Sequence, residues 1–177
     1  MTFRKSSYLV PGLLAGALML FAADVSTDYN HHADFGKYHT YSWIAVKAGN
    51  SLWQDRIREA VDKDLSAKGW QKVKSGGDAA VSAFGRTSEP GTLQTYYDGF
   101  PGWGWRGWAG MGTSTTEVVP EKVGNLTIDI FDGQTKQLIW RGQAAQAITG
   151  NNPEKNEHKL DDAVDKMFKE FPPKSKG

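Results

Sequence analysis

Apolar side chains recur at four-residue steps from Trp53 through Ile57 and Val61 to Leu65, with Ala60 beside them. That period predicts an amphipathic helix with one buried stripe. Its other face carries Arg58 with Asp62, Glu59 with Lys63 and Asp64 with Lys68 at i,i+4. Each such pair contributes about 0.2–0.5 kcal/mol. Ser51 and Gln54 match a capping box at the start, and Gly69 stands where a left-handed residue closes a helix. A second stripe runs through Leu160, Ala163, Val164, Met167, Phe168 and Phe171. Asn152-Pro153 opens that helix and Pro172-Pro173 stops it.

Elsewhere the period is two. Leu126, Ile128 and Ile130 alternate with Thr127, Asp129 and Phe131, and Leu138, Trp140 and Gly142 alternate with Ile139, Arg141 and Gln143. Asp132-Gly133 opens a turn that ends near Thr135-Lys136, which completes a β-hairpin with Asp129 and Arg141 set to pair across it. Tyr38 to Val46 reads as a strand with Tyr41, Trp43 and Ala45 on one face. Trp70–Val73 and Ala79–Thr87 are two more, separated by a turn at Ser75–Asp78. Each helix has a single apolar stripe and needs a single sheet face. The expected architecture is therefore α+β: a mainly antiparallel β-sheet with two amphipathic helices packed on one face. Strand order does not follow from these patterns.

One interval fits no core pattern. Thr92–Tyr97 and Thr113–Val119 are β-like, and Pro120 favours an edge. Between them Asp98–Gly112 reads DGFPGWGWRGWAGMG, so a loop on a two-strand stalk is expected. Glycine supplies backbone freedom there, and each tryptophan carries a large apolar body with one N–H. Tyr96, Tyr97, Phe100, Trp103, Trp105, Arg106 and Trp108 are the candidate ligand-contacting residues. Arg106 between two tryptophans suits a cation–π or phosphate contact. The same rings would also serve as a lid folded back over the sheet, or as anchors at a membrane surface.

Composition narrows the chemistry. The chain has 177 residues, 39% hydrophobic and 23% charged, enough for one domain with a core. Residues 1–23 read as a secretory signal or N-terminal anchor: Arg4 and Lys5 precede a 12-residue apolar or small run, Gly12 to Ala23. Residues 24–172 form the single α+β domain, and 173–177 a frayed tail. The net charge is +1; without Arg4 and Lys5 it is 19 basic against 20 acidic residues, or −1. That balance leaves no electrostatic footprint for nucleic acid. Cysteine is absent, which excludes thiolate zinc sites and a cysteine nucleophile. His31, His32 and His39 with Asp28 and Asp34 lack metal-ligand spacing, so neither a metal nor a cofactor is expected. A hydrolase using Asp98 or one of these histidines is the enzymatic alternative to a non-catalytic binding or assembly protein.

The segments VSTDY at 25–29, ADFGKYHTYSW at 33–43 and LWQDRIREAVDKDLSAKGW at 52–70 belong to one set. The Gly/Trp loop, VGNLTIDIFDGQTKQLIWRGQA at 123–144 and NPEKNEHKLDDAVDKMFKEFP at 152–172 complete it. Together they resemble the bacterial envelope proteins grouped as domain of unknown function 4136. The resemblance implies a periplasmic location in a Gram-negative envelope, with an unidentified envelope component as partner, and it carries no catalytic residues. Members are typically lipoproteins anchored through a cysteine just after the signal. Here Ala23 is followed by Asp24, so a soluble periplasmic protein, or one held by an uncleaved signal, is the expectation.

Overall fold

The computed structural model describes residues 23–89, 93–96, 115–118 and 122–173, the two short stretches as backbone. The elements in chain order are β1 (Asp24–Tyr29), β2 (Thr40–Lys47), α1 (Ser51–Ala67), β3 (Gln71–Lys72), β4 (Ala79–Ser88), β5 (Leu93–Tyr96), β6 (Thr115–Val118), β7 (Val123–Asp132), β8 (Leu138–Ala147) and α2 (Pro153–Phe168). Six strands form one sheet in the order β1-β8-β7-β4-β2-β3, and β5 pairs β6 separately. The pairings β1–β8, β8–β7 and β7–β4 are antiparallel, while β2 runs parallel to both β4 and β3. The sheet is thus mixed and mostly antiparallel, an α+β fold. Among the described residues no helix is long and apolar enough to cross a membrane.

Both helices lie on one face. Ile57, Val61 and Leu65 of α1 and Ala163, Val164, Met167 and Phe168 of α2 are buried against Val81, Ala83, Ile128, Ile130 and Trp140. Side-chain alternation delivers those strand positions to the same side. The indole of Trp140 lies over Gly142, where an added Cβ would sit 2.5 Å from the ring and 3.0 Å from the Met167 sulfur. At this end of the sheet Trp140, Phe168, Phe171, Phe35, Tyr38 and Trp70 pack with neighbouring ring centroids 4.9–6.1 Å apart.

Local details depart from the simple pattern. The α1 cap is Asn50, whose Oδ1 accepts from the Trp53 N–H at 3.1 Å; the helix starts one residue before the expected capping box. Gly69 follows the helix with φ +86°, as expected for a left-handed stop. In β2 a register shift between Trp43 and Ala45 places Val46, instead of Ala45, opposite Ala83 on the helix face. The side chains of the expected i,i+4 pairs along α1 take other partners: Arg58 bridges to Asp55 at i,i+3, 3.1 Å away. Lys63 pairs with Asp165 on α2 at 3.1 Å, and Asp62 accepts from Lys72 at 2.7 Å, Tyr41 at 2.7 Å and Trp43 at 2.8 Å.

Candidate functional site

The aromatic cluster fills one end of the helix-covered face. At the other end, where α1 and α2 begin, the two helices and the sheet enclose an open cleft of about 560 Å³. Gly85 and Gly124 keep its floor low: an added Cβ would meet Ile57 Cδ1 at 3.0 Å and Ile148 Cδ1 at 3.4 Å, respectively. Leu126 and Ala144 complete the floor, Trp53 and Ile57 form the α1 wall, and Leu160 and Ala163 the α2 wall. Glycine within a strand often marks a close approach by a neighbour or ligand.

Polar groups make up the smaller part of the lining surface. Lys159 Nζ donates to the Ala147 carbonyl and to Thr149 Oγ1, both at 2.7 Å. Lys122 pairs with Glu89 at 2.7 Å. The Oε1 atom of Gln146 is buried on the lining without a partner. Arg86 also belongs to the lining, but alternation from Gly85 sets its Cβ on the opposite face of the sheet. Beside the cleft, Arg56 sits over the Trp53 ring at 4.9 Å and bridges to Glu157 of α2 at 2.9 Å. Asn50 and Asn152 cap the two helix starts by accepting from Trp53 N and Lys155 N.

The strand excursion is anchored at this same end. Ser88, the last residue of β4, pairs with Val123, the first of β7, and Thr87, Lys122 and Gly124 line the cleft. The chain therefore leaves the sheet and returns to it at the cleft mouth. Between these points β5 and β6 form the expected two-strand stalk, paired from Leu93↔Val118 to Tyr96↔Thr115. Tyr96 thus occupies the last rung, with residues 97–114 between the strand ends. Tyr97, Phe100, Trp103, Trp105, Arg106 and Trp108 lie outside the described residues, as does Asp98.

The remaining candidates are held by structure. His31 sits edge-on to Tyr29 at 4.4 Å, and the His39 backbone N–H donates to Asp78 at 3.1 Å. Among the described residues no three of His, Asp and Glu converge as a metal-ligand set. Asp132, which the sequence places only in the hairpin turn, also ties the hairpin to the 3₁₀ turn Phe35–Lys37. Its carboxylate accepts from Lys37 and Tyr38 at 2.8 Å each, and from the backbone N–H groups of Gln134 and Thr135 at 2.9 and 2.8 Å. Against the desolvation of burial, Lys37 and these donors hold its carboxyl well below the ordinary range. The expected Asp129–Arg141 pair forms, with both carboxylate oxygens engaged at 2.6 and 2.9 Å.

Comparison with known proteins gives a family and a fold. Residues 25–173 match the family described as domain of unknown function DUF4136. A DUF4136 family protein from Bacteroides thetaiotaomicron shares 14% identity at TM-score 0.58, over 85% of this chain and 96% of that one. A PDZ domain protein from Parabacteroides distasonis shares 14% identity at TM-score 0.60, over 89% of this chain. The chain spans only 37% of that protein. No curated protein matches the sequence.

Proposed function

Because the chain belongs to the DUF4136 family, a domain of unknown function, we propose from its own residues that it is a binding or assembly module of the cell envelope. It works by contact and not by catalysis, and segment 98–112 makes the contact. The observation that carries this reading is the β5–β6 stalk. Its paired ends at Tyr96 and Thr115 bracket a stretch of glycines and aromatic residues whose sequence follows neither the helical nor the strand period of the core. Tyr96, Tyr97, Phe100, Trp103, Trp105, Arg106 and Trp108 are the contacting side chains in this reading, and the partner is a protein, a glycan or a lipid surface of the envelope. The signal-like residues 1–23 and the family resemblance support a periplasmic location.

The test is in-cell photocrosslinking from position 105, with the captured species identified. Recovery of a defined envelope component from position 105, and not from a control position on α1, is the expected result. Replacing Trp103, Trp105 and Trp108 together with Ala separates contact from core covering. An unchanged Tm removes the core-covering reading, whereas a large fall in Tm means that the rings serve the core. A blue shift of tryptophan emission on adding lipid vesicles, absent with cell-wall fragments, makes the partner the membrane surface.

A further inference from the structure

We propose that the cleft between the starts of α1 and α2 binds a single-chain amphiphile with a carboxylate head group, a fatty-acid-type ligand. Its tail would lie on the Leu126–Ala144 floor and its head against Lys159. This assignment is independent of the reading of segment 98–112, and either can fail alone.

Shape is the first argument. The floor is lowered by Gly85 and Gly124 and walled by Ile57 and Leu160, and most of the surface it presents is apolar. Its volume of about 560 Å³ lies within the roughly 300–1,000 Å³ of small-molecule sites. That accommodates one chain more readily than the two of a phospholipid.

Charge is the second. The charged side chains that reach the lining from the helix-covered side, Lys122 and Lys159, are both basic. Lys122 is offset by Glu89, and Arg56 beside the cleft is offset by Glu157. Lys159 differs: it is half-buried, and both of its hydrogen-bond partners are neutral. An ammonium has three N–H donors, and two are used, so one remains for a ligand. A partly desolvated charge lacking a counter-charge is unfavourable, and an anion in the cleft removes that cost. One uncompensated ammonium matches one carboxylate better than a phosphate dianion.

Gln146 adds a polar contact. Its oxygen is buried without a partner, and a half-turn of the amide presents an N–H to the same head group. Both helices also begin at the cleft, so their positive ends reinforce the preference for an anion.

The test uses the full chain and 11-(dansylamino)undecanoic acid, followed by dansyl fluorescence, with its methyl ester as the uncharged comparator. Saturable one-to-one binding of the acid, displaced by dodecanoate, is expected, with the ester about tenfold weaker. Lys159→Gln should remove most of that acid-over-ester preference, and Gly124→Phe, which fills the floor, should weaken both probes. The proposal is overturned by acid and ester binding equally, by a preference that survives Lys159→Gln, or by no saturable binding. Should Lys159→Gln fail to fold by circular dichroism, wild-type protein with 5-doxyl stearate decides the matter by NMR. Broadening of the Gln146, Ala147 and Asn156 amides supports the site, and broadening confined to other regions rejects it.

Discussion

At the scale of the residue, single side chains carry roles that composition hides. Asp132 looks like an ordinary turn aspartate, yet it accepts four hydrogen bonds from two segments about 95 residues apart in sequence. Asp132→Ala leaves the buried Tyr38 hydroxyl and two turn N–H groups unpaired. It should cost about 2–4 kcal/mol in urea denaturation. The carboxyl is held below its ordinary 3.8. Its contribution is therefore fully present above that pH and is lost as the pH falls through the folded value. An acid titration of stability should be less steep for Asp132→Asn than for the wild type below pH 3.8. Gly142 is the other such position. Gly142→Ala drives a methyl into Trp140 and Met167, and should cost about 1–3 kcal/mol, read as a lower urea midpoint.

At the scale of the element, the seam between α1 and α2 is loaded with carboxylates. Asp64 of α1 faces Asp165 of α2, with Lys63 and Lys68 alongside, and Asp161 lies near Lys63 and Asp165. Burial, then the hydrogen bond with Asp165, pushes the Asp64 carboxyl up to about 6. With both groups ionised its Oδ2 is buried without a partner, and a proton shared with Asp165 supplies one. A raised acid favours the folded chain while it stays protonated, so this seam weakens as pH rises from 3.8 towards about 6. Asp64→Asn donates to Asp165 at any pH. After allowance for solvent screening it should stabilise the protein at pH 7.5 by roughly 1 kcal/mol, or about 2–4 °C in Tm. That gain should vanish at pH 4. The helix start offers a second check. Asn50→Ala should cost about 0.5–2 kcal/mol in thermal unfolding, and Ser51→Ala close to nothing, because the cap is Asn50.

At the scale of the whole molecule, the helix-covered face has two unlike ends. One end is closed by interlocked rings around Trp140, and the other stays open over Gly85 and Gly124. The excursion to β5 and β6 is rooted at the open end. Cleft and stalk therefore share a boundary, and a ligand in one lies beside the base of the other. Stability should be graded accordingly. Strands β4, β7 and β8 are flanked on both sides, and their central amides should exchange with solvent slowest. The two-residue edge strand β3 should exchange among the fastest, as measured by native-state hydrogen exchange.

The sequence by itself determined the element types, the single helix-bearing face, the hairpin with its Asp129–Arg141 pair, and the stalk under the Gly/Trp segment. These depend on period, turn chemistry and short-range spacing, which are local. Tertiary structure alone decided the strand order with β2 parallel to β4, the shift in β2 that turned Val46 inward, and the partners of Asp62, Lys63 and Asp132. Each of these joins residues far apart in the chain, and no local period encodes such a meeting. The cleft belongs to the same class. Its only trace in the sequence is two glycines, Gly85 and Gly124, interrupting strands. They become one floor because β4 and β7 pair antiparallel, and that floor remains open because the two helices begin on either side of it.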